Sequence, residues 1–155
     1  MAASGIYRGC MANPGSADPS DIGRFIELTA DRMRARLTEL STYIRETLEA
    51  EIPELQGDAR LLDLLGASVE GNVDTLLHAL RHAIPVERIE SPTAALEYAR
   101  RLAQHGVSVN ALVRAYRLGQ RLMNEHVFRE VRGLEATAEQ RVDYAMEIPK
   151  LSSLI

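Results

Sequence analysis

Between Ile22 and Leu48, apolar residues recur at three- and four-residue steps: Ile22, Ile26, Met33, Leu37, Leu40, Ile44 and Leu48. This near-heptad rhythm predicts one helix that starts near Asp18 to Asp21 and runs to about Glu51. About thirty residues at ~1.5 Å each would make a rod of roughly 45 Å. Pro53 and Gly57 end it. A second stripe, Leu62, Leu65, Val69, Val73, Leu76, Leu80 and Ile84, predicts a helix over 58–84 that Pro85 stops. Gly66 and Gly71 interrupt this stripe. Each costs ~1 kcal/mol against Ala inside a helix, so a break or kink is expected there.

Two further helices are expected over 92–105 and 109–131, with Gly133 past the end. Ser91 offers an N-cap, and Pro92 suits the first helical position, where no backbone N–H is needed. Gly106 can take the left-handed conformation that ends a helix. Ser108 then caps the next one. Thr137 and Gln140 form a capping box for a fifth helix over 138–147, with Pro149 disturbing its end. No segment reads convincingly as a strand, and there is no internal repeat. The expected fold is all-α: a bundle of about five helices with a long N-terminal helix, packed around the second and fourth. Residues 1–19, with Gly5, Gly9, Asn13, Pro14, Gly15, Ser16 and Pro19, have linker composition. Residues 20–155 then form one helical domain. The closing LSSLI is apolar and carries no capping signal, which points to a piece cut from something longer.

Composition narrows the function classes. At 155 residues, 46% of them hydrophobic and 26% charged, the chain has the balance of a soluble globular domain. A net charge of −4 gives no whole-molecule attraction to nucleic acid. Cys10 is the single cysteine, so neither an intrachain disulfide nor a cysteine zinc cluster can form. That suits a reducing cytoplasm. No apolar run approaches the ~20 residues of a membrane helix, and the N-terminus lacks the apolar core of a signal peptide.

Candidate chemistry is sparse. His78 and His82 stand four apart with Asp74 one turn earlier, a spacing that puts three metal ligands on one face. That face lies opposite the Leu/Val stripe and offers no fourth ligand, so two surface histidines are expected and no metal. His105 sits just before the turn glycine, where an imidazolium suits a helix C-terminus. His126 lies on the flank of the fourth helix with no evident partner. No proximal histidine in a pocket-forming context supports haem. No nucleophile elbow, phosphate-binding loop or dinucleotide glycine pattern occurs, and no proton donor–acceptor pair can be named. The chain is therefore read as no enzyme, with no cofactor. Glu97 and Arg101 make an ordinary i,i+4 pair.

The fourth helix carries the informative residues. Arg114, Arg117 and Arg121 share one face, to which Arg100 and Arg101 could add. They form either a solvated face with scattered ion pairs or a patch for an acidic partner or anion. Gly106 and Val107 also lie where a helix-turn-helix places its turn. Against DNA binding, Val109, Leu112, Val113, Tyr116, Gly119, Met123 and Val127 make the helix too apolar for a recognition helix. Tyr116 and Gln120, one turn apart on the apolar side, are expected to be largely buried. There they either hydrogen-bond in the core or line a small ligand pocket. Gly119 between them would let another helix approach closely.

The wording ARRLAQHGV, followed by LVRAYRLGQ, resembles the N-terminal helical domain of actinobacterial transcription regulators of the PucR/CdaR type. That domain is similar to the RsbRD co-antagonist N-terminal domain of stress-signalling proteins. The resemblance runs from about Leu61 to the C-terminus and is strongest over Pro92 to Gln120. It implies a sensory or dimerisation domain and supplies no catalytic residues. Arg114, Ala115, Tyr116, Arg117, Gly119 and Gln120 are the matched signature of the fourth helix. In such regulators a central domain and a C-terminal helix-turn-helix domain follow. Neither lies within these 155 residues, so this segment is expected not to bind DNA. The surplus of apolar stripe on the first helix suggests a homodimer. The main alternative is a stand-alone adaptor of an anti-sigma system that presents its arginine face to an acidic partner; a small helix-turn-helix DNA-binding protein is the other.

Overall fold

The computed structural model describes residues 19–134. They form α1 (Pro19–Arg34), α2 (Leu37–Glu51), α3 (Ala59–Arg81), α4 (Thr93–Gln104) and α5 (Val109–Arg132). Short 3-10 turns at Pro53–Leu55 and Val86–Arg88 complete them. Among the described residues there is no strand, and the fold is an all-α bundle. The helix expected over 138–147 lies outside the described residues.

The long first helix is two helices. The chain leaves helical geometry at Ala35 and Arg36, where Arg36 has φ −115° and ψ 21°. The Arg36 N–H donates to the Met33 carbonyl at 3.0 Å, a tightened bond in place of the i−4 partner. Neither Gly nor Pro causes this break. Both α1 and α2 pack on α3, whose 23 residues span only ~35 Å. A straight ~45 Å rod would overrun that partner, whereas a corner lays both halves of the stripe against it. Ala30, Met33, Leu40, Ile44 and Leu48 are all buried within the single chain. The stripe is thus mostly taken up internally, with Ile22, Ile26 and Leu37 half-buried against the same core, and little surplus is left to motivate a dimer through the first helix.

α3 is one unbroken helix, capped by Asp58, whose side chain accepts the Leu61 N–H at 2.8 Å. The break expected at Gly66 and Gly71 does not occur, because these glycines serve packing. A Cβ on Gly66 would lie 3.3 Å from Arg45 Cδ of α2, and one on Gly71 would lie 3.0 Å from Pro92 Cβ. Their missing side chains admit α2 and the entry to α4. Gly71→Val is therefore expected to cost about 1–3 kcal/mol by overpacking against Pro92. Gly23→Ala in α1, where a Cβ meets nothing within 4 Å among the described residues, should instead raise the melting temperature. Thermal unfolding of the two variants checks the contrast. A Gly71→Val protein as stable as the parent would show that the α3–α4 contact is not tight.

α4 begins one residue later than expected. Pro92 is its N-cap, no side chain caps it, and Ser91 lies outside. Gly106 has φ +73°, which lets the chain turn into α5. There Ser108 Oγ accepts the Ala111 N–H at 3.3 Å. α5 buries Ala111, Ala115, Leu118, Leu122, Met123, Val127 and Val131. Its close backbone packing is with α1 and α2, whereas α3 packs with α1, α2 and α4. The bundle is therefore centred on α3 alone, not on an α3–α5 pair. The space left between α3 and α5 becomes the site.

Candidate ligand cleft and its charged seam

A cleft of about 90 Å³ lies between α3, α4 and α5, with Ile44 and Leu48 of α2 behind it. Its walls are mainly aliphatic, from Leu65, Val69 and Val73 of α3 and Met123 of α5. Helical spacing brings polar groups into it from three elements: Ser68 and Asn72 of α3, Tyr98 of α4, and Tyr116 and Gln120 of α5. The structure places Tyr116 and Gln120 on this wall, half-buried rather than deep in the core. Gly119 between them lines the same cleft. A Cβ there would meet no atom within 4 Å, so among the described residues no helix makes the close approach expected at this glycine. Asn72 donates its side-chain N–H to the Ser68 carbonyl at 2.8 Å, which fixes its amide at the cleft.

Tyr98 is the residue that sequence reasoning missed. It is 2% exposed, and its hydroxyl is buried with no hydrogen-bond partner among the described residues. Burial, with a smaller contribution from the Glu49 carboxylate, pushes its phenol up to about 12. It therefore stays a neutral hydrogen-bond donor well beyond physiological pH. The signal lay in the i, i+3, i+7 run Ala95, Tyr98, Leu102, all buried on α4, which sets one hydroxyl on an otherwise apolar stripe.

On the outside, α2 and α5 run antiparallel along a seam of polar contacts. Arg36 meets Glu130 at 3.3 Å, and the Tyr43 and His126 rings are 5.3 Å apart. Arg121 lies 3.8 Å from Glu51, and Arg114 pairs with Glu54. The structure gathers Arg114, Arg117 and Arg121 around one shallow hollow with Glu51 and Ile52. Arg114 and Arg121 already face acidic partners from the end of α2 and the turn after it. Arg117 has no ion-pair partner among the described residues. Glu54 is held below the usual carboxylate range by its own backbone N–H and then by Arg114. Arg100 is exposed, and Arg101 pairs within α4 with Glu97 at 3.1 Å.

The histidines are placed as follows. His126, expected to lack a partner, has Nδ1 2.9 Å from the Leu122 carbonyl oxygen as well as its ring contact with Tyr43. His78 and His82 are exposed with ring centroids 4.5 Å apart, while Asp74 is drawn to Arg34 at 3.0 Å. His105 is the exposed C-cap residue of α4. Among the described residues no group of three or more His, Cys, Asp or Glu could hold a metal.

Fold and site together define a helical bundle domain with an apolar cleft inside and a charged seam outside. A family model, the RsbT co-antagonist protein rsbRD N-terminal domain, matches residues 38–151, from the first turn of α2 to beyond α5. The chain belongs to this family, a regulatory helical domain of stress signalling and a protein-interaction module. The match begins well before Leu61, so it takes in α2 as well as the later helices. No curated protein and no solved structure matches the chain. No helix among the described residues is long and apolar enough to cross a membrane.

Proposed function

We propose that residues 20–155 form a non-catalytic sensory and dimerisation unit of a bacterial cytoplasmic transcription regulator of the PucR/CdaR type. The observation that carries this reading is the family match, which spans both helices of the seam and all three helices around the cleft. A signal acts by biasing the packing of α5 against α1 and α2. The output is a changed relation between two subunits. Dimerisation now rests on the family resemblance and not on the stripe of α1 and α2. Apolar side chains left exposed on α5, Val109 at 75% and Val113 at 41%, support a subunit contact near its N-terminus.

The test is to fuse the whole chain to a DNA-binding domain that represses a reporter only as a dimer. Repression is expected, and Val109→Asp with Val113→Asp should abolish it while circular dichroism stays helical. A fusion that fails to repress, together with a monomer by sedimentation at high micromolar concentration, would refute the dimerisation reading. The adaptor reading is favoured by Arg117, the arginine of the row that has no ion-pair partner among the described residues. It predicts a monomer that captures an acidic protein in a salt-sensitive manner.

A further inference from the structure

The cleft between α3, α4 and α5 has three properties that bear on what it can hold. Among the described residues that line it, none is charged. An ionised guest would be desolvated there without a partner, at a prohibitive cost. Its volume of about 90 Å³ is smaller than the ~150 Å³ of an apolar cavity that takes benzene. The cleft is open on one side, so a guest of on the order of six heavy atoms, the size of benzene, would fill it and reach its mouth. One of its residues, Tyr98, keeps a buried hydroxyl with no partner among the described residues, and such groups in native structures call for an explanation.

Gly119 adds an independent observation. It stands inside α5, where Gly costs ~1 kcal/mol relative to Ala. At Gly71 a neighbouring residue occupies the space that a side chain would need. At Gly119 no atom of the described residues lies within 4 Å of the Cβ position, so packing among them gives no reason for the loss. The position lines the cleft. Helix stability is given up where the gain is open volume, the pattern expected where a binding site is kept at the expense of stability.

We propose that this cleft binds a small, neutral, mainly apolar molecule carrying one hydrogen-bond-accepting oxygen. Tyr98 donates to that oxygen, and Gly119 provides the room. Asn72, Tyr116 and Gln120 form the polar wall that orients it. The proposal rests on the regulatory reading above for its purpose: a guest between α3 and α5 would press on α5, the helix whose packing against α1 and α2 transmits the signal. Binding itself is measured without reference to that output.

The experiment is a titration of the full chain, followed through its methyl NMR signals. The probes are cyclopentanone and its hydrocarbon isostere methylenecyclopentane. Saturable shifts are expected at Val69, Val73 and Met123 with both. Tyr98→Phe should weaken cyclopentanone about fivefold, the worth of one ordinary hydrogen bond, and leave the hydrocarbon unchanged. Gly119→Leu, checked for intact helicity, should weaken both at least tenfold by filling the volume; Gly119→Ala, a milder filling, should weaken both by less. Absence of saturable shifts with either probe overturns the site. So does binding that Gly119→Leu and Gly119→Ala leave untouched. Cyclopentanone binding that is indifferent to Tyr98→Phe overturns the oxygen-specific role. A reporter that still responds to dimerisation while neither probe binds would separate failure of this site from failure of the regulatory reading.

Discussion

Leu77→Ala is expected to lower the unfolding free energy by about 3–5 kcal/mol, the upper part of the range for a buried leucine. Leu77 is 1% exposed and among the largest fully buried side chains. It belongs to α3, the helix against which α1, α2 and α4 all pack. A helix held from three sides cannot shift inward to close the void, so both the transfer loss and the cavity cost are retained. Domains of this kind have a total stability of only ~5–15 kcal/mol, so the variant should melt far below the parent. Urea unfolding with an unchanged slope would register this as a true stability loss. A loss below about 1 kcal/mol would show that Leu77 is not in tightly packed surroundings.

The second large effect is a divergence between two substitutions at one position. Tyr98→Ala should cost about 3–5 kcal/mol, as for other buried aromatics. Tyr98→Phe should cost nothing, or stabilise by about 1 kcal/mol, because it removes a polar group taken out of water without a partner. The same residue sets an alkaline limit. Its folded-state pKa is raised from 10.0 to about 12, so the folded state holds the proton more tightly than the unfolded state. That contribution is complete below pH 10 and is lost as pH rises from 10 through about 12. Melting temperatures across this window should fall more steeply for the parent than for Tyr98→Phe. A Phe variant destabilised by more than 1 kcal/mol, with the same alkaline slope, would mean the hydroxyl has a partner in solution.

Helix positions and faces were legible because this chain marks them chemically. The Leu/Val stripe of α3, Ser108 before α5 and Gly106 at positive φ all follow from local rules. The corner at Ala35–Arg36 was not legible. Arg34, Ala35 and Arg36 are good helix formers, and the break is imposed by fitting two half-stripes onto one shorter partner. Gly66 and Gly71 misled in the opposite direction. Their local cost is real, but Arg45 and Pro92 occupy the space they vacate. In the site, the phase of Tyr116 and Gln120 placed them on the inner side of α5. It could not show that α5 stands away from α3 there, which leaves both half-buried at a cleft. Tyr98 was passed over because an aromatic at core spacing reads as filler. Only the three-dimensional surroundings show that its hydroxyl found no acceptor among the described residues. The partner of His126 was missed because Tyr43 lies more than eighty positions away in sequence.

The antiparallel seam of α2 and α5 also constrains how these helices can move. Its contacts, Arg36 with Glu130, Tyr43 with His126, Glu51 with Arg121 and Glu54 with Arg114, are spread along the full length of α2 and mesh like the teeth of a rack. Each is weak alone, as exposed pairs are. A slide of α5 by one helical turn, ~5.4 Å, would disengage all of them together. A roll of α5 about the seam keeps the teeth engaged while opening or shutting the space beside Tyr98. The cheap coordinate of this domain is therefore rotation about an edge, with the charged row as the pivot.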